Sequence, residues 1–150
     1  MKAKSLEPHE PGRSMVGNAG VLLTKVLYIK DNEDKTFVVV DAGMNDIARP
    51  SLYKSYHGVI PVIERKAESK VVDIVGPICE SADFIAKDRE IQMPKEGDYL
   101  AVLSAGAYGM SMSSNYNSRP RAAVILADRD SIKLVTKRET YDDLVARELD

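Results

Sequence analysis

The chain has 150 residues, 44% hydrophobic and 29% charged, with a formal net charge of -2, enough apolar material for one domain with its own core, which excludes a disordered or peptide-scale chain. The near-balanced charge leaves no electrostatic footprint for nucleic acid or an anionic membrane, and neither partner is expected. A single cysteine, Cys79, excludes an internal disulfide, and with only His9 and His57 beside it no metal site is assigned.

The start MKAKSLEPHEPGR has no apolar segment for export, and no apolar run is long enough to cross a bilayer, so a soluble, cytoplasmic protein is expected. After a ragged start over residues 1–9, VLLTKVLYIK (21–30) and TFVVVD (36–41) read as β-strands. They are joined as a hairpin by the polar turn DNEDK. A short helix is expected from Asn45 to Tyr56, with Asp46 as cap and Pro50 confined to its first turn. Further strands are expected at Val59 to Glu64, where Pro61 suggests a sheet edge, then at Val71 to Val75 and Tyr99 to Ser104. Arg121 to Ala127 and Ile132 to Lys137 form a second hairpin about Asp128-Arg129-Asp130-Ser131. A last helix runs from Thr140 to Leu149, with Thr140 as N-cap, Asp143 three residues on, and an apolar face of Leu144, Val145 and Leu149. Seven short strands without long helices between them predict an all-β barrel or sandwich.

Four places carry chemistry. In Glu10-Pro11-Gly12-Arg13 a side-chain-free position adjoins a guanidinium, a grouping suited to a phosphate or carboxylate, or simply a turn with a surface arginine. Arg49 and Tyr53 stand four apart, on one face of a helix, and suit carboxylate recognition or a solvated pair. Cys79 with Glu80, in a loop after a strand, is either a proton-donating thiol or an inert cysteine. The segment Ser104 to Asn117 is rich in small residues and hydroxyls and carries Tyr108. It lacks both the Walker pattern and the dinucleotide fingerprint. No motif supports a hydrolase dyad of Cys79 with His9 or His57.

Taken in order, EPGRSMVGNAG, VVVDAGMNDIARPSLY, VVDIVGPICESADF and LSAGAYGMSMSSNYNSRPRAAVIL resemble the C-terminal β domain of the bacterial diaminopimelate decarboxylases. The resemblance runs from about Glu10 to Leu144. It implies a mainly β fold, the C-terminal β-barrel of the alanine-racemase and group IV decarboxylase type with short helices. Residues 1–9 would be a non-matching extension, 10–20 the end of the preceding α/β barrel domain, and 21–150 the β-barrel domain. The implied activity is conversion of meso-2,6-diaminopimelate to L-lysine and carbon dioxide, in lysine biosynthesis, by a homodimer with shared active sites. The implied cofactor is pyridoxal 5'-phosphate. Glu10, Pro11, Gly12, Arg13 and Tyr108 would contact the cofactor. Arg13, Arg49, Tyr53, Glu80 and Tyr108 would contact substrate, and Cys79 would supply the proton that replaces the lost carboxylate. Cys79 and Glu80 would act across the dimer.

Glu80 after the cysteine favours diaminopimelate over relatives with Cys-Asp here, while Ala82 and Met110 depart from the family's frequent Gly and Phe. The family's Schiff-base lysine lies in the α/β barrel, which the resemblance places before Glu10, so a fragment inactive alone is expected. The alternatives are a non-catalytic dimerisation or complementation module docking on a barrel subunit, and a free-standing small-ligand binder using Arg13, Arg49, Tyr53 and Glu80.

Overall fold

The computed structural model describes residues 11–148. Glu10, expected at the cofactor, and Leu149, expected on the last helix, lie outside them. The chain opens on a one-turn helix, α1 (Gly12–Val16), continued by a 3-10 turn over Gly17–Ala19. Then come β1 (Leu22–Asp31), β2 (Thr36–Val40), α2 (Arg49–Tyr53), β3 (Val59–Pro61), β4 (Ser69–Val75), β5 (Phe84–Gln92) and β6 (Tyr99–Val102). A separate hairpin of β7 (Val124–Asp128) and β8 (Ser131–Thr136) precedes α3 (Tyr141–Val145).

The first six strands form one sheet in the order β3-β6-β1-β2-β4-β5, and its two edge strands, β3 and β5, touch, so the sheet curls into a nearly closed barrel. β1 and β2 pair antiparallel across the expected turn, with Asp31 opposite Thr36. β2 and β4 run parallel, Thr36 opposite Val72, which requires the long connection that carries α2 and β3. Inward-facing β-branched and leucine side chains fill the interior: Val26, Val38, Val40, Val72, Ile74, Ile85, Leu100 and Val102 are all buried.

Three expectations change on inspection. β5 was not foreseen, because FIAKDREIQ alternates poorly and carries four charges; it is held in the sheet by its ladder with β4 and bends at Asp88, whose φ is 49°. α2 is shorter than Asn45 to Tyr56 because Asp46 is spent elsewhere. Its carboxylate accepts the Gly43 amide at 2.9 Å, closing the turn before the helix, and Ala48 precedes Arg49 without any side-chain cap. β3 stops at Pro61, at the edge where a residue without an N–H belongs. At α3 the capping box forms as read: Asp143 N donates to Thr140 Oγ1, and Asp143 Oδ2 accepts from Thr140 N at 2.7 Å. No helix among the described residues is long and apolar enough to cross a membrane.

Candidate functional site

Ile47 and Pro50 anchor α2, both buried against the barrel. Burying an aliphatic side chain is worth about 1.5–3 kcal/mol, so these two determine which way the short helix faces. Arg49 and Tyr53, four apart, are left on the outer side. The Arg49 guanidinium lies over two rings, 5.6 Å from the centroid of Tyr53 and 5.1 Å from that of Tyr108, and its Nη2 donates to Ser55 Oγ at 3.3 Å. Lys54, at φ 53°, ends the helix immediately afterwards. A guanidinium held by two aromatic faces keeps its N–H edge free for a carboxylate or phosphate.

Arg13 reaches the same place from another part of the chain. The segment 12–20 is pressed against the loop after β6: Ala105 N donates to Gly20 O at 2.9 Å, Gly106 N to Gly17 O at 3.0 Å, and Ser104 Oγ to Asn18 Oδ1 at 2.8 Å. Glycine is required here because a Cβ at Gly106 would overlap the Val16 carbonyl oxygen, and one at Gly20 would lie 2.6 Å from Gly106 Cα. The result is an open cleft of about 470 Å³ lined by Arg13, Asn18, Arg49, Ser55, His57 and Ser104, among others. His57 is buried, and its Nδ1 donates to the Leu103 carbonyl at 2.9 Å, since a carbonyl oxygen only accepts. Tyr108, at φ 62°, stands against the cleft through its contact with Arg49.

Cys79 and Glu80 occupy a different neighbourhood. Both are exposed, and neither lines the cleft. Their loop is bound to α2 through Ser51, whose Oγ donates to the Ala82 carbonyl at 2.6 Å. Ser51 is two residues past Arg49, about 200° around the helix, so α2 serves the cleft with one side and the cysteine loop with the other. Among the described residues no cluster of His, Cys, Asp or Glu could hold a metal ion.

The residue that shapes the cysteine loop is Asp83, to which no role was assigned from sequence. It is 5% exposed; Oδ2 accepts from Ile78 N and Oδ1 from Met44 N, each at 2.7 Å, which staples the loop to the turn before α2. Gly76 lies against this carboxylate, where a Cβ would overlap Oδ2, and a Cβ at Gly43 would crowd the Ile78 side chain at 2.9 Å and Oδ1 at 3.1 Å. Burial raises the Asp83 carboxyl above the usual carboxylate range, and the two amides oppose that without cancelling it. A sequence clue exists in retrospect: an aspartate closing a Gly-to-Asp loop of eight residues, Gly76 to Asp83, that follows a strand. Arg119 has no role from sequence either, because its partners lie 74 and 78 positions away. Its Nε donates to Asn45 Oδ1 at 3.1 Å and its Nη2 to the Asp41 carbonyl at 2.5 Å, fixing the Gly43 turn from outside.

With this geometry established, comparisons with known proteins locate the chain. Residues 14–106 match the family model described as pyridoxal-dependent decarboxylase, C-terminal sheet domain. A diaminopimelate decarboxylase of Aquifex aeolicus is 58% identical over 141 residues, covering 94% of this chain and 34% of that protein. A crystal structure from the same organism is 57% identical, with a TM-score of 0.90 over 92% of this chain and 34% of that one. Diaminopimelate decarboxylase from M. jannaschii, solved in complex with L-lysine, is 43% identical with a TM-score of 0.88, covering 92% of this chain and 32% of that one. The chain thus spans about a third of the length of the relatives it matches.

Proposed function

We infer from this chain's membership of the pyridoxal-dependent decarboxylases, to which it belongs as their C-terminal sheet domain, that it is the substrate-recognition and proton-donating part of a diaminopimelate decarboxylase. The reaction is meso-2,6-diaminopimelate to L-lysine and carbon dioxide. The observation that carries this reading is the division of opposite charges between two surfaces: a guanidinium clamped by Tyr53 and Tyr108 at the cleft, and outside it an exposed Glu80 carboxylate beside a thiol, available to the cleft of a second copy. The far end of diaminopimelate is an amino acid, with one carboxylate and one ammonium, and needs one cationic and one anionic partner. Arg49 and Tyr53 receive the distal carboxylate, and Glu80 from the second copy of a homodimer receives the distal ammonium.

The donor set of the cleft fits a phosphate: the Arg13 guanidinium and the NH2 of Asn18, whose Oδ1 is held by Ser104, face one open volume. Pyridoxal 5'-phosphate, when bound, supplies a sink for the electron pair left by the departing carbon dioxide. Arg13, with its neighbours Pro11 and Gly12, holds the phosphate side, and Tyr108 contributes its hydroxyl to phosphate and substrate; Glu10 belongs to the same segment. Residues 10–20 are read as the end of a preceding barrel domain and 21–150 as the β domain. The Sγ–H of Cys79 donates the proton to the carbon that carried the carboxylate, so one proton replaces one carbon dioxide.

Cys79 and Glu80 do not line the Arg13–Arg49 cleft, which supports their use in the site of a second copy in a homodimer. Exposed apolar side chains on both strands of the β7–β8 hairpin, Ile125, Leu126, Ile132 and Leu134, favour an associating surface. The test is made in the full-length enzyme carrying this domain, by carbon dioxide release from meso-diaminopimelate. Cys79→Ala is expected to lower kcat far more than it changes KM, and an equal loss in both would remove Cys79 as proton donor.

A further inference from the structure

We propose that Tyr116 is the positioning residue for Glu80, its hydroxyl holding the carboxylate in the orientation that receives the distal ammonium of the substrate. The inference rests on the reading of Glu80 given above and adds a residue to that site. Tyr116 Oη donates to Glu80 Oε2 at 3.2 Å, while the other oxygen, Oε1, accepts from Ala82 N at 3.3 Å. An exposed glutamate otherwise samples many rotamers, and ordering it on binding costs free energy. Here each oxygen has one fixed donor and keeps acceptor capacity for an incoming ammonium.

Tyr116 can act as a fixed point because its own segment is built to hold it. Ser114 N donates to the carbonyl of buried Asn45 at 2.9 Å, and Tyr116 N donates to Ser114 Oγ at 3.3 Å. Asn115 Nδ2 donates to the Arg119 carbonyl at 3.0 Å and to Glu139 Oε2 at 2.6 Å. Directly after the tyrosine, Asn117 and Ser118 both adopt left-handed backbone, at φ 60° and 54°. Consecutive non-glycine residues in that region cost energy and persist only where the surroundings impose them. The hydrogen bond to Glu80, reinforced by the negative charge there, also pushes the Tyr116 phenol above its ordinary value, which keeps it in the neutral, donating form.

Two measurements test this. In the full chain, titration of the tyrosines followed by NMR is expected to show Tyr116 above the ordinary phenol range, returning toward it in Glu80→Gln. A Tyr116 that titrates alike in both proteins would overturn the contact. In the full-length enzyme, Tyr116→Phe, which keeps the ring, is expected to raise KM for meso-diaminopimelate about threefold to tenfold with kcat little changed, the range of one ordinary hydrogen bond, because the phenol acts on the substrate only through Glu80. The double variant with Glu80→Gln should then be no worse than Glu80→Gln alone. If Glu80→Gln raises KM and Tyr116→Phe does not, or if the two effects simply add, the positioning role falls while the Glu80 reading stands. If Glu80→Gln leaves KM unchanged, both fall together.

Discussion

Asp83→Asn isolates the staple between the cysteine loop and the turn before α2. The wild-type carboxylate accepts two backbone amides, Ile78 N and Met44 N, each at 2.7 Å. Asparagine has one acceptor oxygen, so one amide would face an NH2 group. Leaving a buried donor without an acceptor costs about 1–3 kcal/mol, against which the variant no longer buries a charge. We expect a net destabilisation of about 1–3 kcal/mol near neutral pH, because the NH2 group has no lone pair for the amide it faces, whereas a carboxyl keeps an acceptor on each oxygen whether or not it is ionised. Urea denaturation measures this, and hydrogen exchange at Ile78 and Met44 identifies the amide released. The pH dependence has a definite sign. Asp83 binds its proton more tightly folded than unfolded, since burial raises it. Its contribution is therefore greatest below the ordinary aspartate range and falls as pH rises through the elevated folded value. The gap between wild type and Asp83→Asn should narrow over that window. A variant within about 0.5 kcal/mol of wild type, with both amides still protected, would refute the staple, and a gap that widens with pH would refute the dominance of burial.

Gly106→Ala places a methyl group on the Val16 carbonyl oxygen; backbone must move, and a loss of about 1–3 kcal/mol is expected in thermal or urea unfolding. Because the same movement displaces Arg13 from the cleft, the variant should also bind inorganic phosphate more weakly than wild type by NMR titration. Arg49→Lys keeps the charge but loses the planar group between Tyr53 and Tyr108; in the full-length enzyme KM for meso-diaminopimelate should rise about tenfold or more, and an unchanged KM would remove Arg49 from substrate recognition. Asp143 is held below the ordinary range by Thr140, through its amide first and then its hydroxyl. Its contribution is present above that range and lost as pH falls through the folded value, so Thr140→Ala should move the Asp143 titration, read by NMR, back toward ordinary and loosen α3.

Local chemistry alone was sufficient wherever neighbours along the chain decide the outcome. The β-branched runs became β1 and β2, Asn32 to Lys35 made the turn between them, Pro61 marked an edge, and Thr140 with Asp143 capped a helix, because strand propensity, turn residues and capping act over a few positions. The four motifs carried the family for the same reason, and Arg49 with Tyr53 were placed on one side of a helix by spacing alone. Contacts between distant segments were not legible. β5 exists because β4 offers it a ladder, which overrides a charged, irregular pattern. Asp46 has the chemistry of a cap but serves a turn, since the buried Ile47 and Pro50 dictate where the helix begins. Asp83 to Met44, Arg119 to Asn45 and Tyr116 to Glu80 are separated by 39, 74 and 36 positions. Nothing in the local sequence singles out such partners, because only closure of the barrel brings their loops to one end, and there the hydrogen bonds of each loop are completed by side chains of another.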